Sequence, residues 1–148
     1  MKIFCLEDFK DKFEKLKKKN SYSTIEKDIL EYFFNKEIDS LKSGTRLNNS
    51  DDTPYIKKRL GGSGGFRVYF LLLVKKESAY LMFVHPKTGS EGFENITDES
   101  KALLYKKVLD CVSTNNLYEI VLEKEKLVFK KKCNETTAQP RSSRKDKA

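Results

Sequence analysis

The chain has 148 residues, 35% of them charged, with a formal charge of +8. That length suits one domain, since domains run to roughly 100–200 residues, and clustered apolar runs such as Val68–Val74 and Tyr80–Val84 argue against global disorder. No apolar stretch approaches the roughly 18 residues of a membrane span, and one histidine, His85, beside three scattered cysteines leaves no Cys/His zinc pattern.

The N-terminus turns acidic at Glu7-Asp8, too soon for a signal peptide. Cys5 and Cys111 sit among apolar residues and read as buried thiols, and an odd cysteine count fits a reducing compartment. A cytoplasmic protein is expected. From Lys130 onward there are seven Lys/Arg against two acids, which leaves 23 against 20 in the rest. Most of the net charge therefore belongs to a tail, and residues 131–148 read as a disordered basic arm behind a single domain, 1–130.

Lys2–Cys5 is a short strand candidate. Phe9, Phe13 and Leu16 recur at helical spacing. Ser23-Thr24-Ile25-Glu26 has the form of a capping box opening a second helix, with Ile25, Ile29, Leu30, Phe33 and Phe34 on its apolar face. Ile38 and Leu41 continue that face weakly until Ser43-Gly44. Asn48–Pro54 is a polar turn. Tyr55–Leu60, Phe66–Lys75 and Ala79–His85 follow as three strands with short connections, an antiparallel meander. Thr97 should cap a third helix with Leu103, Leu104, Val108, Leu109 and Val112 as its buried stripe. Tyr118–Leu122 and Leu127–Lys130 read as a further strand or hairpin, with a helical alternative open. The expected class is α+β: two N-terminal helices and a later one packed on a small antiparallel sheet.

The window Tyr55–Lys76 holds six cations (Lys57, Lys58, Arg59, Arg67, Lys75, Lys76) and no acid, in a chain with 22 acidic residues. Lys57 and Arg59 are two apart, so a strand projects them to one face, and Arg67 can face the same way on the next strand. Such a face can hold phosphates. A solvated face, or a lysine-protected edge strand, is the plainer reading. His85 is the one side chain of a type that titrates near neutrality, hence the acid/base candidate, although histidines at strand ends are often structural. Lys87 adds a cation at the same end. Tyr69 and Tyr80 read as packing residues, with base stacking as the alternative. Gly61–Gly65 lacks the lysine and Ser/Thr of a phosphate-binding P-loop and reads as a hairpin loop. Glu91, Glu94, Asp98 and Glu99 are explained by a loop and a helix start, and no Gly-x-Ser-x-Gly motif occurs.

Ser23–Gly44, Tyr55–Leu60, the Gly65-Phe66-Arg67-Val68-Tyr69 return, Tyr80–Lys87 and Glu94-Asn95-Ile96-Thr97 together resemble, in that order, the RelE/ParE superfamily of toxins from type II toxin–antitoxin systems, and the HigB-type members most. The resemblance covers roughly residues 23–110. It implies a microbial-ribonuclease-like α+β fold and metal-independent cleavage of mRNA, commonly on the ribosome. It also implies no cofactor, and inhibition by a cognate antitoxin. By position, the active site it implies is Lys57, Arg59, Arg67, His85 and Lys87. Arg67 would clamp the transition state with help from Arg59. Lys57 would be the base if neighbouring cations lower its pKa, and His85 or Lys87 the acid. The basic tail, and a loop after His85 with a single lysine, depart from many relatives. Two alternatives remain: a ParE-like DNA gyrase inhibitor, and a non-catalytic nucleic-acid-binding module.

Overall fold

The computed structural model describes residues 1–19, 24–34, 36–61, 65–86 and 98–132. In chain order these form β1 (Lys2–Cys5), α1 (Glu7–Lys17), α2 (Ile25–Phe33), a 3-10 helix (Ile38–Ser43), β2 (Thr45–Arg46), β3 (Tyr55–Leu60), β4 (Phe66–Leu73), a 3-10 turn (Val74–Lys76), β5 (Ser78–Pro86), α3 (Asp98–Thr114), β6 (Tyr118–Glu123) and β7 (Lys126–Lys131). The class is α+β. The sheet is neither small nor purely antiparallel, however. Its described strands number seven, in the order β2-β3-β4-β5-β1-β6-β7, and β1 runs parallel to β5 while opposing β6. Hairpin neighbours can be read from short connections, but β1 finds β5 across more than half the chain, and no local pattern encodes that pairing.

The sheet separates two cores. On one face, Phe9, Phe13 and Leu16 of α1 and Ile25, Ile29 and Phe33 of α2 pack on Ile56, Val68, Phe70 and Leu81. On the other, Val108 and Cys111 of α3 meet Phe4, Tyr55, Tyr69 and Tyr80. The helical spacing in α1 is matched by its charges, with Glu7 and Asp8 in the first turn and Lys15 and Lys17 in the last, as the helix dipole favours.

Three local expectations change. Thr24 precedes α2 without a side-chain cap, its hydroxyl donating to Asp28 instead at 3.0 Å, and Ser23 lies outside the described residues. Glu26, expected to close a capping box, reaches the sheet edge: its carboxylate accepts the Leu127 N–H of β7 at 2.9 Å and pairs with Lys17 at 3.5 Å. A hydrogen bond to a charged group is worth about 1.5–3 kcal/mol. Glu26→Ala should therefore lower the unfolding free energy by about that amount, and urea titration at neutral pH measures it; an unchanged midpoint would mean water replaces the carboxylate at no cost.

The second helix also stops earlier than expected. Phe34 is extended, and Ile38–Ser43 is a separate 3-10 helix that buries Leu41 and is tied to α2 by the Tyr32 hydroxyl, which bonds to the Leu41 carbonyl and to Ser43. In α3 the buried stripe is narrower than its leucines suggested: Leu103 is 67% and Leu109 45% exposed, while Val108 and Cys111 are buried and Leu104 and Val112 partly so. Thr97 lies outside the described residues.

The end of the chain is a hairpin, β6–β7, turning at Lys124 and Glu125, both with positive φ (53° and 62°). Such a turn matches the twist of its strands. β7 runs through Lys131, and the Lys132 N–H donates to the Leu117 carbonyl at 2.8 Å, so the folded unit extends past Lys130. Residues 133–148, including Cys133, lie outside the described residues. Among the described residues no helix is long and apolar enough to cross a membrane.

Cys5 and Cys111 are buried free thiols. Burial pushes the Cys5 thiol well above its ordinary range, because a thiolate there would lose its water. The folded state thus holds its proton after the unfolded chain has released it. The Cys5 contribution to stability is complete below about pH 8.5, the ordinary thiol value, and is lost as pH rises beyond it. Cys5→Ala should flatten the decline in melting temperature above that pH, and an unchanged slope would assign the decline to other groups such as Tyr55, whose hydroxyl burial also raises.

Candidate active site

Strands β3, β4 and β5 pair in register as Arg59↔Arg67 and Arg67↔His85, so these three residues form one rung across the sheet. The adjacent rung is Lys57↔Tyr69 and Tyr69↔Phe83. Directly opposed residues project to the same face. Both rungs face the side that α3 packs on, as Tyr69 and the half-buried Phe83 show by joining that core. Lys57, Arg59, Arg67 and His85 are therefore brought to one face near one end of the sheet. Lys87 lies outside the described residues.

His85 reaches that face only because β5 is irregular. Leu71 pairs with Tyr80 and Phe70 with Leu81, yet Tyr69 pairs with Phe83, leaving Met82 as an extra residue. A β-bulge of this kind shifts the alternation by one. Without it, strict alternation from Tyr80 would turn Phe83 and His85 towards α1 and α2. Burial agrees: Val84 belongs to the α1/α2 core, and Met82 to the α3 core.

The rung is graded in exposure. Arg59 is exposed and Lys57 half-buried, whereas Arg67 is 7% and His85 6% exposed. Lys57, Arg67, Tyr69 and His85 are each engaged by further contacts within the fold. The His85 ring lies stacked near Phe83, with centroids 6.2 Å apart. A buried arginine in mid-rung, with an exposed arginine at the rim, can hold an anionic ligand that docks at Arg59 and is oriented further in.

Other cations of the acid-free window do different work. Lys58 points to the opposite face, its ammonium 5.4 Å from the Tyr32 ring centroid and 3.2 Å from the Ser43 hydroxyl. Lys75 and Lys76 occupy the 3-10 turn at the far end of β4. Tyr80 stacks on Phe4 at 5.1 Å and Tyr69 is fully buried, so both serve as packing. Tyr55, unremarked in the sequence beyond its strand, anchors α3 over the site strands: its hydroxyl donates to the Lys101 carbonyl at 2.9 Å and its ring stacks on Tyr105 at 5.5 Å.

Glycine 44 fixes the outer side of β3. A Cβ there would lie 2.5 Å from the Lys57 carbonyl oxygen, so only glycine lets the chain turn into β2 beside Lys57. Gly61 starts the β3–β4 connection with φ of +82°, and residues 62–64 lie outside the described residues. Among the described residues no group of three or more His, Cys, Asp or Glu is placed to hold a metal ion. Comparison with family models, with curated proteins and with solved structures gave no match.

Proposed function

We propose that this protein is a toxin of the RelE/HigB kind, a metal-independent endoribonuclease that cleaves mRNA in the cytoplasm, with the ribosome as its working place and an antitoxin as its inhibitor. The observation that carries the reading is the Arg59–Arg67–His85 rung, with Lys57 one step along the same face. The resembling family draws its site from these strands, and the bulge at Met82, which brings His85 level with Arg67, supports the same reading.

In this reading the 2′-hydroxyl of the substrate attacks the adjacent phosphorus and gives its proton to Lys57, which takes it as the neutral amine. The bond from phosphorus to the 5′-oxygen breaks, and His85 protonates the departing oxygen. The products are a 2′,3′-cyclic phosphate and a 5′-hydroxyl. Negative charge grows on the phosphoryl oxygens in between, and cations already fixed in place stabilise it more than they stabilise the ground state. Arg67 is the principal clamp, since guanidinium can bind two oxygens at once. Arg59, at the rim, guides the phosphate inward.

The test is incubation of the purified chain with mRNA, with and without translating ribosomes, followed by mapping of the ends. New ends in the wild type that vanish in Arg67→Ala support the ribonuclease. Inhibition of DNA gyrase without cleavage would replace it by the ParE-like activity, and binding without either effect by a non-catalytic module.

A further inference from the structure

Where β1 and β7 end and β6 begins, three lysines lie against aromatic rings. The Lys131 ammonium is 4.8 Å, and that of Lys10 5.3 Å, from the Tyr118 ring centroid. Lys132 is 5.3 Å from the Phe4 ring. Tyr118 belongs to the α1/α2 side of the sheet and Phe4 to the α3 side, so Lys131 and Lys132 flank one sheet end from both faces. Lys131 also donates to Asn116 Oδ1 at 2.7 Å. The Lys132 backbone is fixed by its N–H bond to Leu117.

Lys10 is paired with Glu14 at 3.1 Å, which offsets its charge. Lys131 and Lys132 differ. Their contacts are to rings and an amide, and among the described residues no carboxylate pairs with either. A ring attracts an ammonium through its quadrupole without cancelling the charge. The field stays available to a ligand, while the restrained side chain has less freedom left to lose on binding.

This is also the end of the sheet that carries the arginine rung. Cys5 pairs with both Leu81 and Tyr118, Tyr118 pairs with Lys131, and β5 continues from Leu81 to His85. From β4 to β7 is four strand spacings, about 19 Å, and the rung lies four residues further along β5 than the level of Lys131, a span of several nucleotides. We infer that Lys131 and Lys132, steadied by Tyr118 and Phe4, are a second binding surface, for the phosphates of single-stranded RNA. The inference rests on the reading that the protein binds RNA, but not on RNA being cut. Repeating phosphates on a flexible chain match two ammonium groups set on opposite faces of one sheet end. A folded acidic protein would meet one face at a time.

The probe is a short, fluorescently labelled 2′-O-methyl oligoribonucleotide, which lacks the attacking hydroxyl, titrated with the full chain at several salt concentrations. The double variant K131Q/K132Q should bind roughly tenfold more weakly, with a salt slope shallower by about 1.4, two phosphate contacts at about 0.7 each for a single strand. K124Q/K126Q removes the same charge from the far end of the hairpin and should change binding far less. Unchanged affinity and slope in K131Q/K132Q, or equal losses in both pairs, would overturn the inference. So would a loss of polyglutamate binding with RNA binding intact, which would mark a protein dock. A wild-type chain that binds the probe through these lysines yet cuts no mRNA keeps the inference and removes the nuclease reading.

Discussion

Arg67→Ala should lower mRNA cleavage about 100- to 1000-fold, the usual cost of losing one donor that stabilises charge developing in a transition state. Arg67 sits mid-rung between Arg59 and His85, so a phosphate held by either neighbour lies within its reach. Because Arg67 is buried, the effect must be separated from misfolding. Arg67→Lys keeps the charge but not the two-oxygen fork, and should fall between wild type and alanine. Lys58→Ala removes a cation from the opposite face of β3 and should cleave normally. Cleavage by a folded Arg67→Ala protein at the wild-type rate would remove Arg67 from the mechanism.

The largest effect on stability is expected at Phe70. Its side chain is fully buried on the α1/α2 side of β4, edge-on to Phe33 with centroids 5.0 Å apart and to Tyr32 at 6.4 Å. Phe70→Ala leaves a cavity where α2 meets the sheet, and such truncations cost about 3–5 kcal/mol. A domain has only about 5–15 kcal/mol in total. A urea titration should show the midpoint falling by about a fifth or more, with an unchanged slope. A loss below about 1 kcal/mol would mean that α2 closes over the gap.

Much of the site's scaffold was legible, because strands β3, β4 and β5 are bounded by turn residues and rich in aromatic and branched side chains. The spacing of Lys57 and Arg59 was enough to put them on one face. His85 was not assignable in the same way. Counting by twos from Tyr80 gives it the wrong face, and nothing in Leu81-Met82-Phe83 announces the extra residue, since all three are apolar and suit either core. The bulge is settled by what both cores can hold together.

Other misses have equally local causes. Leucine spacing in α3 suggested a wider stripe than the sheet covers, and hydrophobicity alone does not say which leucines find a partner. Glu26 had the right position for a capping box, but a carboxylate serves equally well on an edge-strand N–H, and β7 lay 101 residues away. The parallel entry of β1 beside β5 has no signature in either segment.

The rung matters only if one phosphodiester sits against it with its 2′-hydroxyl as nucleophile, and the chemistry of the cut ends reports this. When mRNA on translating ribosomes is incubated with the protein, the new termini should be 5′-hydroxyls and 2′,3′-cyclic phosphates. Termini with 5′-phosphates and 3′-hydroxyls would contradict a cationic site working through the substrate's own hydroxyl.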